Sequence, residues 1–190
     1  MALSNPFSIE GKVRRAMAKV ERARAPKRLS AAFIGKGLLF SAVVAGSVVL
    51  LASRYSIAIA SQDSLCLPPY RLWIIDKKQD DLVRGEIYAF HSKGLSPIFA
   101  DGTIIVKVLG GMPGDRAKVT LEETTINGVS VGKGLQVASQ HGIDPQKYVR
   151  EGEIDEGRYW FFGRTPDSFD SRYWGSASTD QIIGKAYPIW

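Results

Sequence analysis

The chain has one cysteine, Cys66, and two histidines, His91 and His141, among its 190 residues. One thiol excludes an intrachain disulfide, a cysteine-rich zinc site and an iron–sulfur cluster. Two histidines so far apart in sequence exclude an HExxH centre. No cofactor and no metal are expected. Acidic residues are scarce where basic ones gather. Residues 1–36 hold nine Lys/Arg against Glu10 and Glu21, so this segment carries +7 of a formal net charge of +6. The remainder is therefore close to neutral, and the basicity belongs to one segment rather than to a cationic face for nucleic acid.

From Gly37 to Ser53 run 17 residues without a charge. A helix of that length covers ~25 Å at ~1.5 Å per residue, slightly short of a ~30 Å hydrocarbon core. Extension back to Ala31 and forward toward Ala60 makes up the difference, with Lys36 and Arg54 snorkelling to the two interfaces. The expected organisation is a basic cytoplasmic segment over 1–30, a transmembrane anchor over 31–58 and an extracytoplasmic domain over 59–190. The basic flank sets that orientation under the positive-inside rule. For a Gram-negative source this means a single-pass inner-membrane protein with a periplasmic domain, and the lipid bilayer is its first partner. Ala58-Ile59-Ala60 has the small-x-small form of a cleavage site, but Arg54 sits where cleavable signals are normally uncharged, which favours an uncleaved anchor.

Beyond residue 70 the pattern shortens to β-type runs: Leu72–Ile75, Glu86–Phe90, Thr103–Leu109, Ala117–Leu121, Thr124–Val131, Arg158–Phe162 and Ile182–Ile189. Asn127-Gly128 is a type I′ hairpin signal. Residues 132–156 are polar and read as an insertion with one short helix near Pro145–Val149. The expected fold is a mostly-β domain behind one N-terminal transmembrane helix.

Three segments carry chemistry. Lys107 lies among apolar residues in a strand. A lysine desolvated there is a usable general base, whereas an edge-strand lysine simply reaches water. Cys66, just past the anchor, is either a small buried hydrophobe or a nucleophile. Asp170 and Arg172 are spaced to form an ion pair.

Together these segments resemble a known family. Lys107, Gly111, Pro113, Gly114 and Asp115 match the K-x-x-x-G-x-P-G-D box of bacterial signal peptidase I. Ser168, Asp170, Ser171, Arg172, Tyr173, Trp174 and Gly175 resemble its final S-x-D-S-R-Y-W-G box, and Arg84–Phe90 resembles its R-G-D-I-V-V-F strand, with Glu for Asp. The resemblance covers residues 64–190. Gly163-Arg164-Thr165-Pro166-Asp167-Ser168 departs from the usual opening of the final box and is more similar to the conjugative-transfer, TraF-like branch that matures pilins.

The resemblance implies a signal peptidase I-like β fold and a peptidase acting on a precursor polypeptide, a conjugative pilin in that branch. Its S-x-S-M-x-P and S-x-P motifs both lay Cys66 on the nucleophile, giving a Cys/Lys dyad of Cys66 and Lys107. Ser64 as nucleophile is the minority alternative. By resemblance the Cys66 N–H and the Ser64 hydroxyl form the oxyanion hole, Ser168 orients Lys107, and Asp170 with Arg172 fixes the loop of Ser168. The dyad rests either as thiol and amine or as thiolate and ammonium. A thioester reacts readily with amines, so the product is either hydrolysed or closed head to tail. Other readings are a general hydrolytic signal peptidase, a catalytically silent part of a conjugation apparatus, and a papain-like enzyme using His91 or His141. No Asn/His context accompanies either histidine.

Overall fold

A computed structural model of the chain describes residues 9–24, 29–62, 64–78 and 81–190. Its elements are helices α1 (Ile9–Arg24) and α2 (Ala31–Arg54), then strands β1 (Tyr55–Ile59), β2 (Leu72–Asp76), β3 (Ile87–His91), β4 (Ile104–Gly111), β5 (Arg116–Val119), β6 (Glu123–Ile126) and β7 (Val129–Lys133). There follow α3 (Gln136–Gln140), β8 (Arg150–Glu153), β9 (Arg158–Phe162), α4 (Ser171–Trp174), β10 (Ala177–Ser178) and β11 (Ile182–Pro188). The chain divides into two compact units, Met1–Ser47 and Val48–Trp190.

Helix α2 is the one described helix long and apolar enough to cross a membrane, and none of its residues is buried. Its 24 residues reach ~36 Å, so the span needs no help from residues 55–60. Hydropathy alone carries the anchor on to residue 58. The backbone instead turns to β-structure at Tyr55, where Tyr-Ser-Ile-Ala-Ile alternates at the strand period and pairs residue for residue with β2. Arg54 closes the helix by bonding Asp76 at the far end of β2. That hydrogen bond, followed by one from the Lys78 backbone, holds the Asp76 carboxyl below its ordinary value.

The second unit is mostly β, as the alternating runs predicted. A seven-stranded sheet runs in the order β1-β2-β11-β3-β4-β9-β10, and a four-stranded sheet in the order β7-β6-β5-β8. Apolar side chains cover both faces of the larger sheet around β3 and β4. Trp73, Ile75, Ala89 and Val108 pack on one side, and Phe90, Ile105, Leu109 and Phe161 on the other. β4 therefore lies between two strands and between two apolar layers, and only an uncharged or well-paired polar group is tolerated along it.

The Asn127-Gly128 turn forms as read, with φ of 50° and 80°. Asn127 also accepts the Arg116 N–H and donates to Asp115, which ties the hairpin to the end of the lysine box. Residues 132–156 supply α3, a 3₁₀ turn at Pro145–Tyr148 and the edge strand β8. Leu135, Val137, Ala138 and Ile154 are buried there with Trp160 and Tyr173.

Candidate active site

Lys107 occupies the middle of β4, paired opposite Tyr88 of β3. It is 1% exposed. Strand alternation sets it on the side of Ile105 and Leu109, so it is not an edge lysine reaching water. Its Nζ donates to Ser168 Oγ at 2.7 Å. Among the described residues no carboxylate lies within ion-pair distance of it. The amine is thus fixed by a neutral hydroxyl at the wall of a cavity of about 150 Å³, and the same cavity is lined by Cys66. No hydrogen bond joins the two side chains among the described residues. The structure brings the amine and the only thiol to one cavity without closing the contact between them.

The side chain of Asp115 gathers the turn after β4. Asp115 accepts the Met112 N–H at 2.6 Å, pairs with Arg84 at 2.6 Å and accepts from Asn127 at 2.7 Å. Burial pushes this carboxyl up, but the three hydrogen bonds together hold it below the ordinary carboxylate value. The aspartate of the lysine box therefore acts as a clamp on the Met112–Asp115 turn, away from the reacting groups.

The stretch that follows β9 is hydrogen-bonded beside the segment that carries Cys66. The Cys66 carbonyl accepts the Arg164 N–H at 2.8 Å, and the Leu65 carbonyl accepts from the Thr165 hydroxyl at 3.4 Å. One residue further out, the exposed Ser64 donates its hydroxyl to Asp167. That bond first, then one from Thr165, holds the Asp167 carboxyl below its usual value. Among the described residues the Cys66 N–H makes no hydrogen bond.

Ser168 is completely buried, and the loop that carries it is organised around Arg172. The guanidinium forms a two-point pair with Asp170, at 2.8 and 2.9 Å. It also donates to the carbonyls of Lys133, Gly134, Thr165 and Ser168. Burial alone would lower the pKa of Arg172, but Asp170 beside it raises the value above the ordinary one. Asp170 additionally accepts the Gly163 and Arg172 N–H groups, so both its oxygens are satisfied and it caps α4.

Three residues around the Cys66 segment have no role readable from the sequence. Asp167 lay inside a quoted segment without a signal of its own. Gln62 donates Nε2 to Cys66 Sγ at 3.4 Å, and nothing in its sequence context marks it. Gly163 leaves the gap into which Ser168 fits. A Cβ there would overlap the Ser168 hydroxyl and lie 3.1 Å from the Cys66 carbonyl oxygen. Gly163→Ala is expected to cost about 1–3 kcal/mol by overpacking. By displacing Ser168 from Lys107 it should also reduce turnover on the order of 10²-fold. Thermal melts and initial rates measured on the same preparation check both effects.

A neutral-walled strand presenting a buried amine, faced by a thiol-bearing loop, has the parts of an acyl-transfer site. The family model for signal peptidase, peptidase S26, matches residues 31–190, and the chain belongs to this family. It is a signal peptidase I-like peptidase with the mostly-β fold of that group. Among solved structures it is similar to a signal peptidase I from Enterococcus faecalis V583, with 25% identity, 57% of this chain and 98% of that chain covered, and a TM-score of 0.37. A search of curated proteins returns no match.

Proposed function

We propose that the chain is a membrane-anchored processing peptidase with Cys66 as nucleophile and Lys107 as general base, and that its substrate is a conjugative pilin precursor. The observation that carries this reading is the burial of Lys107 on Ser168 at the wall of the cavity that Cys66 lines. A neutral amine that donates one N–H to Ser168 keeps its lone pair for the thiol proton. The thiolate attacks the scissile carbonyl, and the lysine then returns the proton to the leaving amine. This leaves a thioester on Cys66. Asp170 and Arg172 act at a distance, by fixing the loop that holds Ser168. In the anchored protein the basic N-terminus lies in the cytoplasm and the catalytic domain outside the cytoplasmic membrane.

The pilin assignment draws on the TraF-like form of the 163–175 segment. The thioester supports a further step. An N-terminal amine of the cleaved chain attacks the thioester carbon, the C–S bond breaks and the thiol is regenerated, giving a head-to-tail ring. Co-expression with the candidate pilin, scored by intact mass, tests both parts. Wild-type enzyme should yield a product one water lighter than the linear chain, and Cys66→Ala should yield only precursor. A linear product refutes cyclisation while leaving the peptidase. An active Cys66→Ala variant alongside a dead Ser64→Ala variant moves the nucleophile to Ser64.

A further inference from the structure

Ser64 and Gln62, on the segment that carries Cys66, each have a side-chain hydrogen-bond donor, and the structure uses the two differently. Ser64 has one hydroxyl proton and directs it at Asp167. An ionised carboxylate only accepts, so Ser64 is the donor in that bond. Charge-assisted hydrogen bonds are the strong ones, and turning the same proton toward a reacting oxygen would abandon a charged acceptor. Gln62 is arranged otherwise. Its Nε2 already points at Cys66 Sγ, at 3.4 Å. Its backbone carbonyl is held by Arg71 Nη1 at 3.2 Å, and the same nitrogen reaches the Ala60 carbonyl at 3.4 Å. The segment is therefore tied to the start of β2, and Gln62 lines the cavity with Cys66 and Lys107.

We infer that Gln62 is a catalytic residue: its side-chain N–H and the Cys66 backbone N–H together form the oxyanion hole, and Ser64 serves to hold Asp167. The inference rests on the reading of Cys66 as nucleophile. As the sulfur bonds to the carbonyl carbon, the C=O π pair moves onto oxygen. That oxygen then sits one bond from an atom attached to sulfur, within reach of a donor already at the sulfur. The amide needs no large reorientation as the charge appears, which is the condition under which such a donor lowers a barrier.

The test compares two reactions of one thiol in the full-length protein in detergent micelles. Acylation by the p-nitrophenyl ester of N-acetylalanine passes through an oxyanion. The S–C bond forms, p-nitrophenolate leaves and the thiol proton goes to Lys107. Alkylation by iodoacetamide displaces iodide and forms no oxyanion. Gln62→Met and Gln62→Ala should slow acylation on the order of 10²-fold and change alkylation, which feels only the lost contact to sulfur, far less. Ser64→Ala should give the smaller selective loss.

Wild-type acylation in Gln62→Met, or equal slowing of both reactions, overturns the role of Gln62. A larger selective loss in Ser64→Ala returns that role to Ser64. Mass mapping separates this failure from that of the nucleophile reading. An acyl group found on Ser64 instead of Cys66 refutes the nucleophile assignment and the inference with it.

Discussion

Lys107→Met is expected to lower product formation by about 10³- to 10⁴-fold, the upper part of what a positioned general base supplies. The side chain it removes sits 1% exposed in the central strand β4, where β3 and β9 pair on either side. Methionine fills a similar volume and brings no charge, so the two apolar layers around the strand stay packed. The cost in stability is confined to the Ser168 hydroxyl, which loses its partner, an effect of about 1–3 kcal/mol. A variant that folds, melts within several degrees of the wild type and processes no precursor isolates the chemical role. The thiol should still be alkylated, only more slowly, because the base that takes its proton is gone. Lys107→Met with undiminished processing would show that the amine is structural and that some other group accepts the thiol proton.

The sequence disclosed the sheet where apolar alternation was dense and missed it where pairing alone creates the strand. The seven runs read as strands all correspond to observed strands, including both arms of the Asn127-Gly128 hairpin. β8 is Arg-Glu-Gly-Glu, with no apolar residue to mark it. It becomes a strand because β5 offers an edge and because Glu151 meets Arg116 at 2.7 Å and Lys118 at 3.3 Å across the pair. β1 was absorbed into the apolar run before it, since hydropathy does not distinguish the end of a long helix from the alternation that follows. In the site, the box motifs pointed to Lys107, Ser168, Asp170 and Arg172, all of which are buried. Gly163 and Asp167 depend on how two loops approach each other, and Gln62 on how its own segment folds back on Cys66; no periodicity encodes either arrangement.

Arg172→Met is the substitution expected to damage the fold most, because of what it leaves behind. Arg172 is 2% exposed and Asp170 0%. Removing the guanidinium strands a buried carboxylate that keeps only the Gly163 and Arg172 backbone N–H groups. Breaking a buried pair from one side costs about 3–5 kcal/mol. For a chain of this size that corresponds to a fall in melting temperature on the order of 10 °C. Four carbonyls, those of Lys133, Gly134, Thr165 and Ser168, lose a donor at the same time. Two of them belong to the loop that positions Ser168 on Lys107, so turnover should fall even at temperatures where the variant remains folded. Adding Asp170→Asn removes the stranded charge. The double variant should therefore melt higher than the sum of the two single losses allows, the signature of two residues acting as one unit. If the losses simply add, the pair is not a coupled buried unit, and Arg172 stabilises the loop through its carbonyl contacts alone.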